Sequence, residues 1–395
     1  MRILISAGEA SGEMYGAQLI EALRRRFAAE LRSAGQPRAA VPTQPQFFGA
    51  GGDRMRAAGC DIVVDAKDLA VVGISEIVSH LPKIYGLFHK LIAEADRRRP
   101  DLAVVIDSPA FNWRVARQIH RRGMPVVYYV CPQFWAWRQG RVRLLRKYVD
   151  KALVIFPFEE KFYRDRGVDA TFVGHPLADI SPPSIDRESY AATHKLDAAK
   201  PWVTLMPGSR TKEVRMNLPT ILESTAKLGS GYEYLLPIAP TLDRGFLELL
   251  IGRHPIRLVG DALPALAHSR AGIIASGTAT VEAAMMGTPF VMVYRVSPLT
   301  YFLGRSRVKV PYFAMPNLIA GKEIVPELVQ RDFTAEKVVA RLKEILPDGP
   351  VRKRMIEGLA EVRALLRGPN SEALHPVERA ANAIVTLMRR STAES

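Results

Sequence analysis

The chain has 395 residues, 48% of them hydrophobic, and 55 Lys and Arg against 40 Asp and Glu give a net charge of +15. That is apolar material for two cores at roughly 100–200 residues per domain, and positive charge enough to attract nucleotide phosphates, nucleic acid or an anionic bilayer. The two cysteines, Cys60 and Cys131, exclude a disulfide framework and fit a reducing cytoplasm; no run of about 18 apolar residues offers a membrane span, and the apolar run at 3–6 stops too early for a secretory leader, so any membrane contact is expected to be peripheral.

Taken in chain order, short β-branched runs alternate with helical periodicity. Strands are predicted at 2–6, 46–50, 61–65, 102–107, 126–130 and 152–156, and again at 202–206, 234–238, 256–259, 272–275 and 290–294. Amphipathic helices are predicted between them, at 17–27, 74–93, 242–251 and 335–346 among others, with a surface loop at 35–46. The alternation predicts an α/β protein of parallel sheets with crossover helices. A stretch rich in Pro, Ser and charge, "SPPSIDRESYAATHKLDAAKP", separates two such series. The expected architecture is therefore two Rossmann-like doubly wound domains, 1–180 and 201–366, joined by a linker at 181–200 and facing across a cleft at the carboxyl ends of their strands. The basic helical segment from about 367 to 395 is expected to pack back across the linker or onto a second subunit.

The first strand ends in "AGEASGEMYG". Gly8, Gly12 and Gly16 recur every four residues, which matches neither G-x-G-x-x-G nor a Walker A loop. Glu9 and Glu13 bring negative charge to the helix N-terminus, so this turn is better suited to sugar hydroxyls than to phosphate. The alternative is that the glycines permit a tight turn and the acids cap a helix. "PGSRTKEV" is more phosphate-like, with Gly208 for close approach, Ser209 as donor or cap, and Arg210 as a fixed fork for phosphate oxygens. "ASGTATVEAAMMGTP" leaves a strand through Ser276, Gly277 and Thr278 and enters a helix over Ala279 and Thr280 whose free amides suit a second phosphate contact. Glu282, one turn further, is placed to accept from ribose hydroxyls. Two anion-ready helix ends and one diol-ready acid describe a nucleoside diphosphate site. No Asp-x-Asp and no histidine or cysteine spacing suggests a metal, so a metal-independent site without cofactor is expected.

In the first series, "DLAVVIDSPAFNWRVARQ" delivers Asp107 to a strand end, where partial burial could raise its pKa toward that of a general base; a simple turn acid is the alternative. "CPQFWAWRQGR" puts Trp135 and Trp137 just after the next strand, as core or as a sugar-stacking wall, and His175 in "VGHP" orients or fills that wall.

Eight segments in one order, "AGEASGEMYGAQLI", "GISEI", "IDSPAFN", "FWAWRQGR", "FVGHP", "MPGSRTKEV", "ASGTATVEAAMMGTP" and "MPNLIAGKEIVPELVQ", resemble the lipid-A-disaccharide synthase family, the inverting glycosyltransferases of family 19, over nearly the whole chain. Two positions depart from it. Glu13 stands where the family usually has Asp, and Ala110 where it has a second acid, which leaves Asp107 as the remaining candidate base. The resemblance implies a glycosyltransferase-B fold with the acceptor in the first half and UDP in the second. It implies the joining of UDP-2,3-diacylglucosamine to 2,3-diacylglucosamine 1-phosphate, giving a β-1,6 disaccharide 1-phosphate and UDP. Glu9, Ser11, Glu13, Asn112, Trp135 and His175 are then expected on the acceptor side. Asn317 and Gln330 join Gly208 to Arg210, Ser276 to Thr280 and Glu282 around UDP. Long acyl chains imply a bilayer partner at the cytoplasmic face of a Gram-negative-type inner membrane. The apolar face of the helix from Ile74 onward (Ile77, Val78, Leu81, Ile84, Tyr85, Phe88, Leu91) and the segment 301–313 are expected to meet it. A homodimer is a further expectation. The rivals are a sugar-nucleotide epimerase or other transferase of the same fold, and a nucleic-acid binder using Arg24–Arg26 and Arg97–Arg99; the second lacks an aromatic-interleaved module.

Overall fold

The computed structural model describes the chain except residues 9, 34–44, 70–73, 181, 298–300, 302–309, 369–373 and 394–395, and except the side chains of 10, 30–33, 74–81, 179 and 390–393. Most of the expected loop at 35–46 lies outside the described residues. Two compact units form, one from residues 1–176 with 367–395, the other from residues 177–366.

The first unit is built on seven parallel strands, β1 (Arg2–Ala7), β2 (Gln46–Gly51), β3 (Cys60–Asp65), β4 (Leu102–Ile106), β5 (Val126–Tyr129), β6 (Lys151–Val154) and β7 (Ala170–Phe172), in the order β3-β2-β1-β4-β5-β6-β7. Helices cover both faces, which is why the strands read as continuous apolar runs: all five residues of LAVVI in β4 are fully buried. The second unit repeats the plan with β8 (Trp202–Met206), β9 (Glu233–Pro237), β10 (Ile256–Val259), β11 (Ala271–Ala275), β12 (Phe290–Tyr294) and β13 (Glu327–Val329), in the order β10-β9-β8-β11-β12-β13. In each sheet the winding reverses beside the first strand, between β1 and β4 and between β8 and β11. These switch points leave a crevice outside the carboxyl ends of the strands.

Strands β7 and β13 are three-residue edges that sequence periodicity did not mark. The helix Ile74–Arg98 corrects part of the expected membrane face. Leu91, Ile92 and Ala95 are buried, and Ile84, Leu87 and Phe88 pack against the core of the first unit, with Phe88 edge-on to Phe111. Its described apolar stripe covers the sheet, and only Tyr85 is turned outward. Ile77, Val78, Leu81 and most of 301–313 lie outside what is described.

The last helix, Pro376–Ala393, returns to the first unit and packs on the helix Ala10–Ser33. Val377, Ala380, Ala381, Ile384 and Val385 recur at helical spacing and are buried. Arg379 donates from Nε to the carbonyl of Val173 at 2.7 Å, and Glu378 pairs with Arg25 at 2.7 Å, fixing the entry of the helix. Truncating Ile384 to Ala is expected to cost about 2–5 kcal/mol, as buried aliphatic truncations do. A lowered urea midpoint for the first unit checks this, and an unchanged midpoint contradicts the packing.

Candidate active site

In the first unit the crevice lies between the turns after β1 and β4. Asp107 and Ser108 both adopt left-handed backbone, φ 47° and 46°, a conformation that non-glycine residues hold only when their surroundings impose it. The imposing residue is Asn112, fully buried on the helix Pro109–His120. Its amide nitrogen donates to the carbonyls of Ile106 (2.8 Å), Ser6 (3.0 Å) and Asp107 (3.0 Å), and its oxygen accepts from the Ser6 hydroxyl at 2.6 Å. The Tyr128 hydroxyl donates to the Asp107 carbonyl at 2.8 Å, and the Asp107 amide donates to the Tyr129 carbonyl at 3.1 Å. The Asp107 backbone is thus held directly by β5 and by Asn112, which is itself tied to β1 at Ser6, while its side chain stays partly exposed. A side chain at Gly8 would collide with Ser108, so the β1 turn must carry glycine for the two turns to meet.

Other expected acceptor residues have structural partners. Glu13 accepts from the Arg54 amide at 2.7 Å and so caps the helix Asp53–Ala57 from across the β2 turn. Ser11 is half-buried in the first turn of its helix, and Glu9 lies outside the described residues. Trp135 is buried and donates its indole N–H to Glu159 Oε1 at 2.8 Å. Glu159 Oε2 accepts from the amides of Ile155 (3.1 Å) and Phe156 (3.0 Å), so one carboxylate ties the loop after β5 to the loop after β6. Burial pushes the Glu159 carboxyl up to about 7. His175, buried against Phe156, is driven down to about 3 by desolvation and is therefore neutral.

In the second unit the crevice lies between the turns after β8 and β11. The helix Thr211–Leu228 starts at Arg210, and Glu213 folds back over that start. It accepts from the amides of Ser209 (3.2 Å) and Arg210 (3.4 Å) and pairs with the Arg210 guanidinium at 3.1 Å. Gly208, at φ 128°, has no room for a side chain because Glu213 fills it. The amides of Ser209 and Arg210 are committed to a carboxylate that also lies over the helix start, while those of Thr211 and Lys212 donate to no group among the described residues; what the turn offers outward besides is Arg210 itself, its side chain 74% exposed. The exposed pair with Glu213 is worth about 0–1 kcal/mol, too little to tie the guanidinium to that carboxylate.

The helix Thr278–Met286 is different. Its N-cap, Gly277 at φ 138°, supplies no side chain, and its first turn carries no acid. The Ser276 hydroxyl is spent on the Phe313 carbonyl (2.8 Å) and that of buried Thr280 on the Gly277 carbonyl (2.7 Å). The amides of Thr278 and Ala279 donate to no group among the described residues. Glu282 is half-buried, no described residue hydrogen-bonds to its carboxylate, and burial alone raises its pKa. Buried Asn217 ties this frame together, donating to the Pro207 carbonyl (2.8 Å) and accepting from the Arg295 amide (3.0 Å). Gln330 brackets Val296, donating to its carbonyl at 3.2 Å and accepting from its amide at 3.1 Å. Asn317 is fully buried, accepting from the amides of Ile324 (2.7 Å) and Val325 (2.9 Å). Both hold loops through their own polar atoms. Glu327, which accepts from the amides of Phe313 and Ala314 and from Asn317, completes that loop. Among the described residues no three His, Cys, Asp or Glu gather as a metal site.

Sequence reasoning did not single out Glu159, Glu213, Asn217 or Glu327. Only Glu213 carried a readable signal, an acid three residues after the helix cap, the spacing of a reciprocal cap. The others join segments far apart in the chain.

A family model described as lipid-A-disaccharide synthetase matches residues 3–374. The chain belongs to the lipid-A-disaccharide synthase family. The lipid-A-disaccharide synthase of Koribacter versatilis is 54% identical over 395 residues, covering 99% of each chain, and that of Acidobacterium capsulatum is 48% identical over 405 residues, covering 98% of this chain and 97% of that one. Among solved structures, a calicheamicin glycosyltransferase matches with TM-score 0.58 at 17% identity over 98% of each chain. A putative UDP-N-acetylglucosamine 2-epimerase from Listeria monocytogenes matches with TM-score 0.60 at 11% identity, over 100% of this chain and 97% of that one. Likeness at that identity shows the fold alone: two parallel α/β units of the glycosyltransferase-B type.

The elevated Glu159 carboxyl gives this member of the lipid-A-disaccharide synthase family a titration to test. Folded protein keeps the proton that the unfolded chain releases from about pH 4.5, so this group's stabilising contribution is present below about pH 4.5 and is lost as pH rises to about 7. Replacing Glu159 with Gln removes that dependence. The melting temperature of the wild type relative to Glu159→Gln is expected to fall between those pH values, and a pH-independent difference contradicts the assignment.

Proposed function

We propose that this chain joins UDP-2,3-diacylglucosamine to 2,3-diacylglucosamine 1-phosphate by a single inverting displacement, forming the β-1,6-linked disaccharide 1-phosphate and UDP. The observation that carries this reading is the helix end at Gly277–Ala279, without side-chain cap or acid, with the carboxylate of Glu282, to which no described residue hydrogen-bonds, one turn further on. In this reading the amides of Thr278 and Ala279 hold the diphosphate, and Glu282 accepts from the ribose hydroxyls. Gly208, Ser209, Ser276, Gly277 and Thr280 shape the walls, while Asn317, Gln330 and Asn217 keep the loops in place. The Arg210 guanidinium leaves Glu213 for the β-phosphate.

In the first unit Asp107 takes the proton from the acceptor 6-hydroxyl as that oxygen bonds to the donor anomeric carbon. The bond from that carbon to the β-phosphate oxygen breaks, and its electron pair leaves with UDP. Arg210 and the Thr278 helix end neutralise the leaving charge, with no divalent ion in the scheme. Asn112 supports the step by holding the Asp107 turn, and Trp135 and His175 support it as neutral, buried parts of the acceptor wall. Ser11 and Glu9 stay assigned to the acceptor side. The acylated substrates give the chain a peripheral partner, the cytoplasmic face of an anionic membrane; no described helix is long and apolar enough to cross one.

A UDP-release assay with both lipids and EDTA tests the scheme. Asp107→Ala is expected to lose about 10²–10⁴ in kcat, the size of a general-base contribution. Arg210→Ala is expected to lose about 10–100-fold in kcat/KM, the size of a charged hydrogen bond, and Glu282→Gln to raise KM for the UDP-sugar with kcat little changed. Full activity in Asp107→Ala removes the base assignment, loss of activity in EDTA removes the metal-free scheme, and release of an epimer or free sugar without disaccharide removes the transfer.

A further inference from the structure

The chain's positive charge is unevenly neutralised. Arg97 and Arg98 pair with Glu94, Arg98 also with Asp61, Arg122 with Asp96 and Lys151 with Asp169, so those cations leave little net field. The stretch from Cys131 to Val149 holds five cations and no acid. Its helix, Val142–Tyr148, buries Val142, Leu145 and Tyr148 against the first unit. The opposite face carries Arg143, Arg146 and Lys147, which stand three and four residues apart and are all exposed. Arg141 precedes them, and Arg166 joins from the turn before β7, its guanidinium 3.4 Å from Gln139 Oε1. Arg141, Arg143, Arg146, Lys147 and Arg166 have no carboxylate within ion-pair distance among the described residues; the nearby acids Asp165 and Glu160 pair with Lys161 and Arg164. Two adjoining hollows of about 550 and 420 Å³ open here, and both are walled by Arg143 and Arg146. At the edge of the face Trp137 is 47% exposed, with the Arg138 guanidinium 3.9 Å from its ring centroid.

Like charges gathered without counter-charges repel one another in the free protein, and an anionic surface removes that penalty. An exposed indole beside guanidiniums is the side-chain pair that suits the boundary between headgroups and acyl chains. We propose that the face carrying Arg141, Arg143, Arg146, Lys147 and Arg166, edged by Trp137, is where this protein docks on an anionic bilayer, lipid phosphates entering the two hollows. The choice of a bilayer rests on the lipid-substrate reading above. A nucleic-acid groove would interleave several stacking aromatics with its cations, and this face has one indole at its rim. Of the helix from Ile74, by contrast, the described residues Ile84, Phe88 and Leu91 are turned to the core.

The test is co-sedimentation of the full chain with vesicles of phosphatidylglycerol and phosphatidylcholine. The variant Arg143→Glu/Arg146→Glu/Lys147→Glu is compared with Lys195→Glu/Arg253→Glu/Arg257→Glu, which changes net charge equally on exposed positions of the second unit. Wild type is expected to bind these vesicles, to release them as salt is raised, and to ignore pure phosphatidylcholine. The first variant is expected to lose about a hundredfold in partition, three cations each contributing severalfold near a charged surface, while the second loses only a few fold. Both variants are expected to transfer sugar at wild-type rate on detergent-dispersed substrates. Equal losses in the two variants, or none in the first, overturn the face. Tighter binding to single-stranded RNA than to vesicles at the same salt overturns the bilayer, as does displacement from vesicles by millimolar glycerol phosphate. A slow detergent assay with intact vesicle binding instead counts against the transferase reading.

Discussion

A helix that begins at the carboxyl end of a buried strand presents backbone N–H groups with no internal partner, and something must satisfy them. Much of this protein's chemistry follows from how that requirement is met at each turn. Glu13 reaches over to cap the helix Asp53–Ala57, and Glu213 folds back over the start of the helix Thr211–Leu228. The helix Thr278–Met286, at the switch point of the second sheet, has neither device. The first two ends carry a carboxylate over their start and the third carries none, so in the proposed reading an anionic ligand is favoured at the third.

Backbone strain marks the same rims. Of the six described non-glycine residues at positive φ, Asp107, Ser108, Val130 and Gln330 directly follow strands β4, β5 and β13. Such conformations cost on the order of 1–3 kcal/mol and persist only where partners over-determine them. Asn112 and Tyr128 do this for Asp107, and Gln330's own hydrogen bonds to Val296 do so at β13. The strain holds the carboxyl-end rims of the strands in one conformation.

The doubly wound plan was legible because buried parallel strands write themselves as apolar runs; LAVVI and AGIIA needed no context. Strands β7 and β13 were not, since three residues at an edge carry no period. For the site, the glycines and strand ends of "PGSR" and "ASGT" located both turns of the second unit, but not which of them has a carboxylate folded over its helix start. That depended on Glu213, readable only by its spacing from the cap. Glu159, Asn217 and Glu327 were invisible because each works between segments that the fold, not the sequence, brings together. The helix from Ile74 showed the reverse error: a stripe of Ile84, Phe88 and Leu91 reads alike whether it faces a bilayer or a sheet.

Amide hydrogen exchange with and without UDP bears on the central assignment more directly than any activity. The account predicts new protection at 276–280, reduced when Glu282 is replaced by Ala, with no change at the turn 8–16 of the first unit. Protection appearing at that turn instead, or nowhere along 276–280, would contradict it.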